Sequence, residues 1–525
     1  MSRPSTGFGR SMVFAGLLAS APAIGAAQAP PGLDQFVTQV MGSFEVPGLS
    51  LAIVKDGKVI VAKGYGVRKL GDAAPVDQAT RFGIASNTKL FTAAALALLV
   101  EEGKLEWDAP VVHYLPGFAL SDPFVTRELS IRDLLVHRSG LGLGAGDLLW
   151  WPPSTYHRKE ITRRLRYIPL ATSFRTAYAY DNVLYGVAGD VIEAVAGQSW
   201  EDFMTERILR RVGMAGSHVW NSRSAAGPND AWPHARVEGT VRPIPPFRSD
   251  NVNPAGGINA GAEDMARWMI VQLDSGRVAG GRLFSQRSAR ELWTIVTPIP
   301  AGEPAAELAP LRAEFNGYAL GVGVRDYRGV KVLSHTGGLP GFLSRVAMIP
   351  ARKVGVAVLT NAESGSAFNA IVQWVLDYYL EVRPAHDWLS AFRSVQARED
   401  SALAATVRSA AAQRNSASRP SLPLERYAGT YRDVWYGDVI IEHQGGGLSI
   451  RFCCSPDLVG TLEHWQYDSF VARWRDRALR ADAYVTFALH ADGSIDQVKM
   501  TPFTPDVDFS FDFQDLLLRP VRGTR

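Results

Sequence analysis

Cysteine is nearly absent from this chain of 525 residues, which contains only Cys453 and Cys454. Because the two are adjacent in sequence, they cannot join distant parts of a fold through a disulfide. Without spaced histidines, they also do not supply the four ligands of a zinc site. We therefore expect no disulfide framework, no metal and no cofactor, and we interpret the pair as two thiols in a strand region.

An excess of charge of one sign is also missing. The chain has 55 Lys and Arg against 52 Asp and Glu, and the basic residues are scattered among acidic ones, which argues against a nucleic-acid partner. Hydrophobic residues make up 46% of the chain, so it can bury a sizeable core, and its length predicts more than one domain. The expected partner is a small-molecule or peptide substrate, and the oligomeric state is not predicted.

Residues 1–29 have the pattern of a secretory signal. Arg3 and Arg10 flank a polar start, Met12 to Ala26 is apolar, and small residues crowd Gly25 to Ala29. Beyond this segment, no apolar run reaches the roughly 18 residues that a membrane span needs. The pattern predicts export to the periplasm or beyond, with no membrane span after cleavage; an uncleaved anchor is the alternative.

Ser86-Asn87-Thr88-Lys89 is the only S-x-x-K sequence in the chain, and it opens a long apolar helical stretch, Leu90 to Val100. Residues three apart share one face of a helix, so the Ser86 hydroxyl and the Lys89 amine are expected to meet. Partial burial and the positive end of the helix dipole favour the neutral amine. A neutral amine can accept the proton of Ser86, which would become an activated nucleophile. The alternative is an ordinary helix start with a solvated lysine.

Two more motifs fit the same chemistry. Tyr180-Asp181-Asn182 precedes an apolar helical run, Val183 to Val195, and Ser334-His335-Thr336-Gly337-Gly338 lies between two strand candidates, Val330 to Leu333 and Phe342 to Ile349. Acyl transfer needs a nucleophile, a second proton-handling group and backbone donors for the carbonyl oxygen as it gains negative charge. Tyr180 is the candidate for the second proton-handling group.

The three motifs, in this order, resemble the penicillin-recognising serine hydrolases, which include class C β-lactamases, DD-peptidases and family VIII esterases. The resemblance covers about residues 34 to 380. It extends to Leu134-Leu135-Val136-His137-Arg138-Ser139-Gly140-Leu141, to Ala255-Gly256-Gly257, and to Gly341-Phe342 ahead of Thr360-Asn361. It implies an α+β fold, in which a β-lactamase/transpeptidase-like antiparallel sheet flanked by helices lies beside an all-helical subdomain.

The resemblance also implies roles for individual residues. Ser86 would be the nucleophile, Lys89 its proton partner, and Tyr180 the general base or acid. Asn182 would contact a substrate amide. The backbone N–H groups of Ser86 and Gly338 would form the oxyanion hole.

By the same resemblance, His335, Thr336 and Gly337 would bind the substrate. True β-lactamases of this superfamily carry lysine where this chain has His335, whereas His-Thr-Gly is similar to DD-carboxypeptidases and D-aminopeptidases. An imidazole is largely uncharged at neutral pH, so His335 would be a weak anchor for a carboxylate, and a purely structural role is the alternative. Glycine at this strand would let a substrate lie against the strand edge without a Cβ in the way.

Two other features allow two interpretations. His137 is better explained as part of a packed helix end and turn than as a catalytic group, since nothing else in the sequence places it near Ser86. The aromatic segment Gly142 to Ser173, which includes Trp150 and Trp151, forms either a wall of the substrate site or aromatic core packing.

The last quarter of the chain changes character. Residues 385–422 are rich in Ala, Ser and Arg and are interpreted as a linker, in part helical. Short β candidates follow, at Asp438 to Glu442, Leu448 to Phe452, Ser469 to Ala472, Ala483 to Leu489 and Ile495 to Thr501. The region resembles a lipocalin-like domain, and the expected domains are a signal peptide at 1–29, a hydrolase domain at 30–384 and a small β-barrel at 423–525.

These observations predict a secreted serine hydrolase that forms an acyl-enzyme on Ser86. The expected activity is that of an amidase or peptidase on D-amino-acid or peptidoglycan-like peptides. A carboxylesterase acting on short acyl esters is the first alternative, because the same serine chemistry serves both. A weak β-lactamase or a catalytically weak binding module is the second. The β-barrel could be a small-ligand cup, a lid or a stability module.

Overall fold

The computed structural model of the protein describes Met1 and residues 28–521. The predicted signal sequence therefore lies almost wholly outside the described residues. Across residues 28–521, no helix combines the length and the apolar character that a membrane crossing requires.

The first part of the chain is built on an eight-stranded antiparallel sheet. In spatial order, its strands are Lys58–Gly66, Gly48–Lys55, Val354–Thr360, Phe342–Ile349, Val330–Leu339, Gly323–Tyr327, Asn316–Tyr318 and Thr297–Pro298. Three short two-stranded ribbons accompany it, Phe82–Gly83 with Asn259–Ala260, His234–Val237 with Thr240–Pro243, and Arg277–Val278 with Gly281–Arg282.

Helices cover both faces of the sheet, and this explains the unbroken apolar run in strand Gly48–Lys55. Successive side chains of a strand point to opposite faces. Leu51 and Ile53 pack in one core with helices Leu33–Ser43 and Gly365–Tyr379. Ala52 and Val54 belong to the larger core on the other face, which includes the apolar residues of the helical region.

Nine of the twelve α-helices of the described residues lie between the strands Lys58–Gly66 and Val330–Leu339. The α-helices of the described chain are Leu33–Ser43, Thr88–Glu101, Pro123–Glu128, Arg158–Arg164, Val183–Ala196, Trp200–Phe203, Arg210–Val212, Asn253–Gly256, Ala262–Leu273, Gln286–Leu292, Gly365–Tyr379 and Trp388–Gln413. A π-helical turn, Met204–Leu209, joins two of the short ones. This arrangement of sheet and helical region confirms the predicted α+β fold.

Two hairpins follow the local signals in the sequence. Lys55 pairs with Lys58, and the turn residues Asp56 and Gly57 have φ of 50° and 74°, the left-handed conformation that a D-G turn favours. In the second hairpin, Ile349 pairs with Val354 around a short 3-10 turn. Both hairpins agree with the alternation of apolar runs and turn residues in the sequence.

The C-terminal region is a second eight-stranded antiparallel sheet that curls into a nearly closed barrel. In spatial order, its strands are Ile495–Pro502, Ala483–Leu489, Ser469–Trp474, Val459–Gln466, Gly447–Phe452, Gly437–Gln444, Gly429–Asp433 and Arg519–Pro520. A bridge between Val498 and Leu518 brings the first and last strands together. The barrel confirms the predicted β architecture, although strand Val459–Gln466 was not anticipated.

The segment interpreted as a linker contains a 26-residue helix, Trp388–Gln413. Its first turn belongs to the core that contains Leu51 and Ile53, because Trp388 is buried there and donates its indole N–H to Asp377 at 2.9 Å. The remaining turns are mostly exposed. The expected domain boundaries stay a prediction.

Cys453 and Cys454 form a vicinal disulfide, so the expectation of two thiols was wrong. The pair lies in a bend just after strand Gly447–Phe452 rather than within a strand. In a bend, neighbouring side chains need not alternate between faces as they do in a strand, and the two sulfurs can meet.

Candidate active site

Ser86 lies on a sharp turn that runs directly into a buried helix. The turn is a 3-10 segment, Ala85–Asn87, and helix Thr88–Glu101 follows it without a break. Ala85 has φ of 49°, a left-handed conformation that is costly for a residue with a Cβ. The turn exposes Ser86 in the wall of a cavity of about 570 Å³.

The Lys89 amine meets the Ser86 hydroxyl, as the S-x-x-K spacing predicted. Lys89 is fully buried, and its Nζ lies 3.0 Å from Ser86 Oγ. The amine also donates to Asn182 Oδ1 at 2.7 Å and to the Ala255 carbonyl at 3.2 Å. A neutral amine has two N–H donors and one lone pair. The two carbonyl oxygens use both donors, which leaves the lone pair for the Ser86 proton.

Burial shifts the amine toward that neutral form. Desolvation lowers the pKa of Lys89 from 10.5 to about 7, although the nearby carboxyls of Asp147 and Asp181 act in the opposite direction. A substantial fraction of the lysine is therefore uncharged at neutral pH. The alternative of a solvated lysine at an ordinary helix start does not fit the described structure.

Tyr180 lies beside the same pair. The Lys89 amine is 4.8 Å from the centre of the Tyr180 ring, and both Tyr180 and Ser86 line the cavity. Burial raises the pKa of Tyr180 well above 10, and the nearby Ser86 hydroxyl offsets only part of that effect. The buried phenol makes no hydrogen bond of ordinary geometry with any described residue. It is therefore a protonated group, poised to donate.

Asn182 caps helix Val183–Ala196 and connects Lys89 to a buried carboxylate. Its Oδ1 accepts from Lys89, and its Nδ2 donates to Asp147 Oδ2 at 2.7 Å. A flipped amide would turn Nδ2 toward the amine and Oδ1 toward the carboxylate, so Asp147 fixes the orientation of Asn182. The expected contact of Asn182 with a substrate amide stays a prediction.

His335 is held as a neutral imidazole. Its Nδ1 donates to the Thr336 carbonyl, which can only accept, so Nε2 carries the lone pair and accepts from the Tyr318 hydroxyl at 2.7 Å. Burial, together with the Lys89 charge, lowers the pKa of His335 to about 3. An uncharged imidazole with hydrogen bonds at both ring nitrogens does not offer a cation to a substrate carboxylate. This geometry favours the structural role that the sequence left open.

Strand Val330–Leu339 presents an open edge next to Ser86. Its pairing with Gly323–Tyr327 ends at Ser334, whereas its pairing with Phe342–Ile349 continues to Leu339. Thr336 and Gly338 line the cavity on this stretch. Ser86 and Gly338 thus belong to one cavity wall, and the oxyanion hole formed by their N–H groups stays a prediction.

Gly337 packs against the nucleophile turn and not against the cavity. A Cβ at this position would lie 2.2 Å from the Ile84 carbonyl oxygen and 3.0 Å from Ser86 N. The glycine is required because the strand and the turn approach so closely. We expected a glycine at position 337 because it would give a substrate access to the strand edge. The packing of Gly337 gives a different reason, its close contact with the nucleophile turn.

His137 lies on a buried turn and packs against Tyr180. His137 is buried at φ 57° on the predicted turn, accepts from the Asp181 N–H at 3.2 Å, and packs its ring 4.3 Å from that of Tyr180. It therefore lies nearer the site than its sequence context indicated.

Trp150 and Trp151 are buried and also line the cavity, so both interpretations of the aromatic segment hold.

Two arginines in the cavity wall were missed. Arg345 is paired with Thr336 on the neighbouring strand. It donates to Asn369 Oδ1, and its Nε has no partner among the described residues. Burial, together with the charge of Arg325, lowers the pKa of Arg345 to about 10. Neither Arg345 nor Arg325 forms an ion pair with a carboxylate within residues 28–521. No motif in the sequence marks either residue.

The barrel also contributes to the cavity, which the sequence did not predict. Asp508, Phe509 and Ser510 line its wall. The catalytic candidates from the sequence all lie before Asn361, and these barrel residues add to the cavity wall around them. These residues belong to an irregular segment between two barrel strands, and such a segment carries no signal of where it folds back.

Comparisons with known proteins agree with this geometry. The Beta-lactamase family model matches residues 33–377, and a domain of unknown function (DUF3471) matches residues 413–520. The first match covers more than half of the chain. The chain belongs to the β-lactamase family, whose members are serine hydrolases.

Individual relatives are distant. An unguisins hydrolase of Aspergillus campestris is 29% identical over 78% of this chain and 76% of its own. Penicillin-binding protein 4 of Amycolatopsis lactamdurans is 28% identical over 62% of this chain and 83% of its own. An octameric penicillin-binding protein homologue from Pyrococcus abyssi, at 21% identity, has a TM-score of 0.59 and covers 90% of this chain and 97% of its own.

The titration of Lys89 generates a prediction about pH. The rate at which Ser86 reacts with a fluorophosphonate should rise about tenfold per pH unit up to about pH 7 and level off above it, because only the neutral amine accepts the Ser86 proton. His335, with a pKa of about 3, should add no step between about pH 5 and 8. A rate that is flat through this range would contradict the assignment.

Proposed function

We propose that this protein is an amidase or peptidase that forms an acyl-enzyme on Ser86. The observation that carries the proposal is the buried, largely neutral Lys89 amine, whose lone pair faces Ser86 Oγ at 3.0 Å. Lys89 takes the hydroxyl proton as Ser86 attacks the carbonyl carbon. The backbone N–H groups of Ser86 and Gly338 hold the oxygen that gains negative charge.

Tyr180 delivers a proton to the leaving group. Its pKa is held well above 10, so the phenol is protonated when the acyl-enzyme forms, and the charged Lys89 can restore that proton afterwards. An amine leaves only after it is protonated, and a proton donor beside the nucleophile supports cleavage of amides. Water then attacks the acyl-enzyme with Lys89 again as the base.

The substrate class is proposed to be a peptide with a free carboxylate, of the D-amino-acid or peptidoglycan-like kind. The support is the unpaired Arg345, close to Arg325, in the cavity wall opposite Thr336. A half-buried guanidinium without an anionic partner has lost part of its hydration, and a substrate carboxylate would supply that partner through paired N–H donors. His335, which is neutral, does not serve this purpose.

The size of the site supports a peptide over a short acyl ester. The catalytic cavity adjoins a second cavity of about 240 Å³, and the two share Trp151, Gly338 and Asp508 in their walls. The second cavity is lined by apolar side chains such as Phe247 and Leu343. A substrate attached to Ser86 can extend past Gly338 into this space.

Export of the protein stays a proposal based on residues 1–29.

Replacing Ser86 tests the reaction itself. Ser86→Ala should lower turnover by about three or more orders of magnitude, since it removes the nucleophile, and Lys89→Ala and Tyr180→Phe should each cost about a hundredfold. Ser43→Ala, at an exposed serine outside the cavity wall, is the matched control. Hydrolysis of D-amino-acid amides and D-Ala-D-Ala peptides would be measured beside p-nitrophenyl esters and nitrocefin. Ser86→Ala activity within about tenfold of wild type would refute the assignment.

Replacing Arg345 tests the substrate class. Arg345→Ala should lower kcat/KM for a peptide with a free C-terminal carboxylate by about thirtyfold, the loss of a charged hydrogen bond worth about 2 kcal/mol. The same peptide with an amidated C-terminus should change by less than about threefold. Arg352→Ala, at an exposed arginine in the turn that follows the same strand, is the control. Equal losses for the two peptides would remove Arg345 from substrate binding, and a wild-type preference for esters over both would favour the carboxylesterase.

A further inference from the structure

One serine of the barrel reaches the catalytic lysine through a continuous series of hydrogen bonds. Ser510 Oγ donates to Asp147 Oδ2 at 2.9 Å, and Asn182 Nδ2 donates to the same oxygen at 2.7 Å. Asn182 Oδ1 then accepts from Lys89 at 2.7 Å, and Lys89 reaches Ser86 Oγ at 3.0 Å. Each group along the series is buried except for the cavity face of Ser86.

The barrel also holds the turn that carries Asp147. The Asp512 carboxyl accepts the Gly146 N–H at 2.7 Å and the Leu148 N–H at 2.9 Å, the two backbone donors on either side of Asp147. Gly146 has φ of 84°, so this turn depends on a backbone conformation that glycine adopts readily. These two bonds hold the backbone of the turn, and the Asp147 carboxylate itself also accepts the Trp150 indole N–H at 2.9 Å.

A third contact joins the barrel to Tyr180. The Phe509 ring packs edge-on against the Tyr180 ring, with 6.0 Å between their centres. Phe509 also covers Gly144, where an added Cβ would lie 2.8 Å from the Phe509 ring and carbonyl oxygen. The Gly144 N–H donates in turn to the Tyr180 carbonyl at 2.8 Å. One short segment of the barrel thus contacts Tyr180 directly and reaches Lys89 through Asp147 and Asn182.

We propose that Ser510 is a positioning residue for Lys89: it holds Asp147, Asp147 holds Asn182 in one amide orientation, and Asn182 keeps the lone pair of the amine on Ser86. The inference rests on the proposed function, in which Lys89 activates Ser86. It assigns the barrel a part in the chemistry, beyond that of a cup, a lid or a stabilising module.

The charges around Lys89 set the direction of the expected effect. The carboxyls of Asp147 and Asp181 favour the charged amine, as do the faces of the Tyr180 and Tyr185 rings, while burial opposes it. The imidazoles that feel the Lys89 charge, His137 and His335, are both held neutral. Loss of the Ser510 hydrogen bond makes the Asp147 carboxylate harder to ionise, so less negative charge remains to favour the protonated amine.

The test is a comparison of three barrel variants in the full chain. Ser510→Ala should slow Ser86 phosphonylation by a fluorophosphonate about tenfold or more, a loss typical of groups that hold a reactive ligand in place. It should also move the acid limb of the rate to lower pH. Ser510→Thr, which keeps the hydroxyl, should recover most of the rate. Ser455→Ala removes another buried barrel serine that has one hydrogen bond, from Tyr436 at 2.9 Å, and should leave rate and pH profile unchanged.

The outcomes separate this inference from the proposed function. If Ser510→Ala labels within about twofold of wild type with the same acid limb, the positioning role is wrong. A crystal structure of Ser510→Ala in which Asp147, Asn182 and Lys89 keep their mutual distances would overturn it as well, whatever the activity. Absence of Ser86 labelling in the wild type would instead count against the proposed function.

Discussion

The burial of one amine sets the requirements for the groups around it. Lys89 has no contact with water, and an isolated charge there would carry a large desolvation penalty. The neutral amine still needs acceptors for its two N–H groups, which are supplied by Asn182 and the Ala255 carbonyl. Asn182 must then be prevented from flipping, which requires Asp147. Each buried polar group creates the need for the next, until the series reaches the barrel.

The same constraint determines where positive charge is tolerated. A second cation in direct contact with Lys89 would lower the pKa of the amine and make it a weaker base. The neighbouring imidazole of His335 is uncharged. The permanent charges of the cavity lie instead on Arg345 and Arg325, across the strand edge at Thr336. In the proposed function, proton transfer and anion binding therefore belong to different residues of one cavity.

The local elements of this fold could be predicted because local residues determine them. The D-G turn at Asp56, the hairpin around Pro350 and the Ser86–Lys89 pairing each depend on a few neighbouring residues, so their local sequence signals agree with the structure. His335 was expected to be uncharged because a free imidazole has a pKa near neutral. In the structure, burial lowers the pKa of His335 much further.

What the sequence could not show depends on contacts between distant segments. Arg345 resembles any arginine in a strand until its neighbours are known to contain no carboxylate partner. Gly337 is explained by the carbonyl of Ile84, which lies on another element. Ser510 lies in an irregular segment with no motif, and its bond to Asp147 joins residues 363 positions apart. Composition and periodicity do not record such pairs.

That separation along the chain has a consequence for biosynthesis. Asp512 binds the Gly146 N–H across 366 positions, so it is synthesised long after the turn that it holds. Domains generally fold from the N-terminus as they are synthesised, so the sheet and helices that carry Ser86 can form before the barrel exists. In such a nascent chain, the Asp147 turn lacks its partner carboxyl, and the Lys89 amine lacks its final support. Hydrolytic competence would then be acquired only after the barrel has been synthesised and its strands have closed.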